Sequence, residues 1–229
     1  MVYTRNIRAP GLQRLVYHLA DATNWSSIER HGLLSTRTLL HLACVSEVER
    51  TCIERRQRIE QVVLPGGIVI RDQKPLPPAA LERCLSAMTS TEWYALLNTK
   101  VFFWLDVERL NRMRHACRER PQVVMFLDSE RLLARHGAQA ALTPINTGNA
   151  RRKPALRGRA TFVPYTTWLD AGWRSEAEAL GTRYRPQSHQ PVELTVSDAV
   201  PDVMDFVVKL CRLEPGEPLH LSGGVTANM

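Results

Sequence analysis

Dense apolar runs of strand length recur along the chain: LVYHLAD from Leu15, VFFWLD at 101–106, QVVMFLD at 122–128, PVELTV at 191–196 and FVVKLCRL at 206–213. Each predicts a buried β-strand, the first ending near Leu19. Between them apolar residues return at helical spacing. WSSIERHG predicts a helix capped by Asn24 or Ser26 and stopped by a left-handed Gly32. The stretch 35–63, with Val48, Ile53 and Ile59 in phase, reads as helical until Pro65-Gly66-Gly67. An extended piece and a proline-rich turn follow at 68–80. LERCLSAMTSTEWYALLN reads as a further helix, VERLNRMRHACRERP as a basic amphipathic one, SERLLARHG as a short one with Ser129 as cap and Gly137 as stop, and WLDAGWRSEAEALG as partly helical. The stretch 143–164, TPINTGNARRKPALRGRATFVP, reads as an irregular, basic, exposed loop, and the tail from Gly216 as frayed. Strands dispersed among helices, without internal repeats, predict a single α+β domain over 1–229.

Two polar residues interrupt these apolar strands. His18 follows Leu15, Val16 and Tyr17, and Glu193 stands between Val192 and Leu194. A buried carboxylate without a partner is costly, so such a residue is either paired or functional. Taken alone, His18 reads as a core imidazole bonded to a backbone carbonyl, and Glu193 as one half of an ion pair.

Composition narrows the setting rather than the function. Apolar residues at 44% and charged residues at 23% are ordinary for a globular chain. No apolar run reaches the about 18 residues needed to cross a bilayer, and the N-terminus lacks the apolar stretch of a secretory signal. Five cysteines without a C-x-x-C pair predict a reduced, cytoplasmic setting and no metal site. The net charge of +7 is carried almost wholly by arginine, whose flat guanidinium grips phosphate bidentately. Five of the nine residues at 151–159 are basic, an electrostatic footprint suited to a nucleic-acid backbone, or else a solvated loop.

The order of these features resembles the DarT-type ADP-ribosyltransferases, which modify bases of single-stranded DNA with NAD. YHLADATNWSSIERHGLL (17–34) is similar to that family's opening strand, helix and Gly-Leu-Leu turn. IERRQRIEQVV (53–63) is similar to its Ile-x-Arg-Arg segment, VFFWLDVERL (101–110) stands in the place of its aromatic strand, and Thr147-Gly148-Asn149-Ala150 resembles its Thr-Asp-Gly-Asn-Ala loop without the aspartate. QPVELTVSDAVPDV (190–203) matches its last strand, with the catalytic glutamate and a later Val-Pro. The resemblance covers about residues 15 to 210.

That resemblance implies an ADP-ribosyltransferase-like split, mixed β-sheet flanked by helices, with NAD as substrate. Glu193 would be catalytic, steadying an oxocarbenium-like ribose and accepting the nucleophile's proton, with Arg56 counted beside it. His18 would hold a ribose of NAD, and Arg55 or Arg56 would grip the pyrophosphate. Tyr17, Phe102 or Phe103 would pack on nicotinamide. Asn149, Arg151, Arg152 and Lys153 would meet single-stranded DNA or RNA. A toxin or phage-defence role, with an antitoxin protein as partner, follows from the same likeness. Two alternatives stay open: the same fold acting on a protein, a small molecule or an RNA 2′-phosphate, and an inactive module that binds nucleotide or nucleic acid.

Overall fold

The computed structural model describes residues 12–117, 119–151, 154–186, 188–217 and 219. The chain opens with β1 (Leu15–Asp21), α1 (Trp25–His31) and β2 (Leu33–Leu34). Next come α2 (Thr36–Leu42), α3 (Glu47–Arg55), the short strands β3 (Val62–Val63) and β4 (Val69–Ile70), then α4 (Pro78–Glu82) and α5 (Ser90–Leu97). The middle holds β5 (Lys100–Trp104), α6 (Val107–Ala116), β6 (Gln122–Asp128), α7 (Ser129–His136) and β7 (Ala140–Thr143). It closes with β8 (Val163–Pro164), α8 (Tyr165–Ala171), α9 (Arg174–Leu180), β9 (Glu193–Ser197), β10 (Ala199–Val200) and β11 (Val207–Leu213).

Every predicted strand forms from a β-branched and aromatic run, but β11, expected to be buried, is an edge strand with Val208 and Leu210 exposed. The two long helical stretches are broken. Cys44 at φ 52° ends the first turn set, and the Ser46 side chain, accepting from the Glu49 amide, starts a new helix. After Arg55 the chain is extended (Arg56 φ −121°, ψ 158°) rather than helical to residue 63. Ala87 at φ 53° breaks the later stretch, and Thr89 restarts it with a reciprocal capping box to Glu92. Asp128, not Ser129, caps α7, accepting from the Glu130 and Arg131 amides. Gly32 ends α1 at φ 71° but with ψ −161°, and a Cβ there would lie 2.4 Å from the Val200 carbonyl. Glycine is therefore needed twice, for its backbone angle and for the close approach of β10.

Seven strands form one sheet in the order β11-β6-β1-β5-β9-β7-β8. Every strand pairing in it is antiparallel, so the mixed sheet expected from the sequence is corrected to an antiparallel one flanked by helices. The sheet is split. β1 pairs β6 at seven positions but meets β5 at one, Tyr17 opposite Trp104. One apolar cluster, including Phe103, Met125, Leu127, Trp168, Trp173 and Leu194, spans both halves. Two separate clusters complete the core: Tyr17, Leu110, Val124 and Phe126 belong to one half, and Leu76, Leu81, Trp93, Tyr94 and Phe162 to the other. A third small cluster ties β3 and β4 to α2 and α3 through Leu40, Ile53, Leu64 and Ile70.

The stretch 143–164 is only in part the exposed loop its composition predicts: Gly148, Asn149, Arg151 and Arg159 are exposed. Thr143, Thr147, Ala150, Arg157, Thr161, Phe162 and Val163 are all buried in it. Backbone bonds tie it to the segment after α4, through Arg157 N–H to the Cys84 carbonyl and Ser86 N–H to the Arg157 carbonyl. Arg152 and Lys153 lie outside the described residues, as does the end of the tail expected to be frayed.

Candidate active site

A cavity of about 510 Å³ opens where β1 and β5 part, within the usual range for a small-molecule site. His18 and Glu193, 175 positions apart in the chain, both line it. Strand alternation alone separates them: the register Tyr17–Trp104–Glu193 places Glu193 in line with Tyr17, one residue out of step with His18. The divergence of the strands brings His18 to the shared cavity. Its Nδ1 lies 2.8 Å from the Phe102 carbonyl. A carbonyl only accepts, so Nδ1 carries the proton and Nε2 remains an acceptor. Burial pushes the imidazole pKa down to about 4 against the help of that hydrogen bond, so the ring is neutral at pH 7.

Glu193 opens β9 and is 4% exposed. Its carboxylate accepts from the Thr147 hydroxyl (2.8 Å), the Thr147 backbone N–H (3.2 Å) and the Thr143 hydroxyl (3.0 Å). Thr143 also lies 2.8 Å from the Ile145 carbonyl. With one hydroxyl proton, Thr143 can donate to only one of them. When Glu193 is ionised, Thr143 donates to it; when Glu193 is protonated, its O–H can donate to Thr143, which turns to Ile145. Both protonation states are thus satisfied by a hydroxyl rotation. Burial raises the carboxyl pKa to about 7, opposed by the Thr147 and Thr143 hydrogen bonds and by the Arg157 charge. A carboxyl that titrates near neutrality with partners for either form is suited to general-base work.

The remaining candidates divide. Phe102 and Phe103 both line the cavity; Phe102 is half-buried, and Phe103 is fully buried and packs on His18 with ring centroids 5.7 Å apart. Tyr17 does not line the cavity; it sits in the core edge-on to Phe126 at 5.1 Å, one residue out of step with His18. Arg55 and Arg56 are exposed and outside the cavity wall, because the helix ends there and turns them to solvent. Four other arginines line the cavity: Arg58, Arg71, Arg109 and Arg112. Arg58 is spent on structure, donating to Arg71 O, Ile53 O and Asn98 Oδ1, and burial lowers its pKa to about 10. Arg71 reaches Met113 Sδ at 3.0 Å, and its buried Nε has no partner among the described residues. Arg109 and Arg112, projecting from α6, are the cations whose side chains make no hydrogen bond to any described residue, and so they are available to a ligand anion.

Asn149 lines the cavity rim and spends its Oδ1 on the Arg151 amide, a local turn. Arg151 is exposed and reaches the Lys74 carbonyl at 3.3 Å. The neighbouring Thr147, read from sequence only as part of a short motif, is the main partner of Glu193. Its signal was weak, since a threonine in a Gly-Asn turn suits any fold. The opposite wall is latched by Asn24, whose side chain does not cap α1 but pairs with both backbone groups of Val69, at 2.9 and 2.7 Å. Among the described residues no group of three or more His, Cys, Asp and Glu could hold a metal, and no helix is long and apolar enough to cross a membrane.

Comparison with curated proteins finds no match. A family model, described as a family of unknown function, matches residues 14–207, a span that includes β1 with His18 and β9 with Glu193. The chain therefore belongs to the DUF7002 family.

Proposed function

We propose that this chain is an ADP-ribosyltransferase that moves ADP-ribose from NAD to a nucleobase in DNA or RNA. The observation that carries the reading is the convergence of His18 and Glu193 on one cavity at the split of the sheet. His18 accepts a ribose hydroxyl on Nε2 and orients the donor without changing its own charge. Arg109 and Arg112, rather than Arg55 and Arg56, take the pyrophosphate, with the unpaired Nε of Arg71 beside them. Phe102 offers the ring surface for nicotinamide. Glu193 offsets the positive charge that develops on the ribose as the bond to nicotinamide breaks. The bonding pair leaves with nicotinamide, the acceptor attacks the anomeric carbon, and Glu193 takes the acceptor's proton.

Arg157 faces inward, which removes one basic residue from the outer face of the loop. This favours, as a second reading, the same donor chemistry on a protein side chain or a small molecule. The test is incubation of the full chain with NAD and mixed single-stranded DNA and RNA oligonucleotides, read by intact mass, with Glu193→Ala as control. An added ADP-ribose lost in the variant is the expected result. NAD consumed without a mass gain on any oligonucleotide supports the second reading, and NAD untouched in every mixture overturns both.

A further inference from the structure

Arg157 is 2% exposed, among the most deeply buried large side chains of the protein. A buried guanidinium is kept only where its donors are satisfied. Its Nε donates to the Ala155 carbonyl at 3.1 Å, and Nη1 donates to the carbonyls of Thr147 at 3.3 Å and Asn149 at 3.0 Å. Its guanidinium carbon lies 5.8 Å from the Trp93 ring centroid. On the other side of the same turn, the N–H and hydroxyl of Thr147 donate to Glu193. The turn is therefore held from both sides, by a cation on its carbonyls and an anion on its donors.

We infer that Arg157 is the positioning residue of Glu193: it fixes the Thr147 turn whose N–H and hydroxyl hold the carboxylate, and it supplies the buried countercharge. The inference rests on the reading of Glu193 as the catalytic carboxylate. The other titratable groups lining the cavity with Glu193 are His18 and Asp21 on β1, Arg58, Arg71 and Asp72, Lys100 on β5, and Arg109 and Arg112 on α6. β7, its other neighbour in the sheet, carries no charged residue. The Arg157 charge acts on the carboxylate together with the Thr147 and Thr143 hydrogen bonds, opposing the rise that burial causes. Neither element of the pair is adjacent to the other in sequence, and no local pattern announces the arginine.

The test uses the full chain labelled with carboxyl-13C glutamate, the Glu193 signal being identified by its loss in Glu193→Gln. In Arg157→Gln the titration of Glu193 moves upward by about one pH unit or more. NAD turnover at pH 7 falls about fivefold or more in kcat with KM within about twofold, and recovers as the pH is raised. A merely structural arginine would not shift the acid limb of the pH profile. A folded Arg157→Gln that titrates Glu193 as the wild type does overturns the inference. If that variant does not fold, Arg157→Lys decides: lysine keeps the charge but not the fork across two carbonyls, so the Thr147 amide exchanges about tenfold faster and Glu193 titrates higher. An unchanged amide and titration in Arg157→Lys likewise overturn it. Titration and exchange need no NAD, so failure of the transferase reading is separable from failure of this one.

Discussion

His18 donates from Nδ1 to the carbonyl of Phe102 at 2.8 Å, across the gap where β1 and β5 cease to pair. The bond fixes the ring's tautomer and leaves Nε2 as an acceptor. His18→Ala removes the proposed ribose partner and leaves the Phe102 carbonyl without its donor. Steady-state kinetics should show KM for NAD raised about tenfold, as expected for one lost hydrogen bond, with a smaller change in kcat.

Glu193→Gln should abolish turnover, by about 10³-fold or more, while the chain still folds. It should also alter the pH dependence of stability. The folded pKa of Glu193 is raised to about 7, so its contribution is fully present below the ordinary value of 4.5 and is lost as pH rises to about 7. His18 acts with the opposite sign: its pKa is lowered to about 4 from 6.5, so its contribution is present above pH 6.5 and is lost as pH falls through 4. Each is worth roughly 3 kcal/mol, and between pH 4.5 and 6.5 the two slopes oppose. Thermal unfolding across pH 3.5–8.5 should show Glu193→Gln more stable than wild type at the alkaline end, with the gap closing towards pH 4.5 (both bounds approximate, set by the shifts above). His18→Gln should lose the acid-side decline instead.

The arginines divide by position. Arg55→Ala and Arg56→Ala, both on exposed side chains outside the cavity, should leave KM for NAD within about twofold, as for surface changes in general. Arg109→Ala and Arg112→Ala should each raise it about tenfold through loss of a charge-assisted phosphate contact. Equal effects from both pairs would refute the assignment of the anion end to α6.

Asn24 makes two hydrogen bonds to Val69 and so attaches β4, with the cavity wall it carries, to the start of α1. Asn24→Ala leaves both backbone groups without their partner at a cost of about 1–3 kcal/mol. Hydrogen exchange should show the Val69 amide losing protection, while the amides of β6 in the sheet centre keep theirs.

Gly32→Ala would set a Cβ 2.4 Å from the Val200 carbonyl and force a positive φ on alanine. The expected loss is about 3 kcal/mol or more, seen as a fall in Tm of roughly 6–12 °C for a chain of this size. A variant that melts with the wild type would show that β10 and the end of α1 can move apart.

The strands, the turns and the two misplaced polar residues were legible in the sequence by itself, because they follow from side-chain type and local spacing. Periodicity sees only the residue and its near neighbours, so it also ran helices through Cys44 and Ala87, where a positive φ breaks them. It counted Arg157 as an outer charge, although carbonyls of its own loop and the ring of Trp93 hold it inside. The resemblance to the DarT-type enzymes implied a phosphate grip by Arg55 and Arg56, which stand exposed at the end of α3. The tertiary structure alone decided that β1 and β5 meet at one pair and then part. That parting lets residues from out-of-step positions share one cavity, and it depends on pairing energies between strands more than 80 residues apart. No local pattern encodes it.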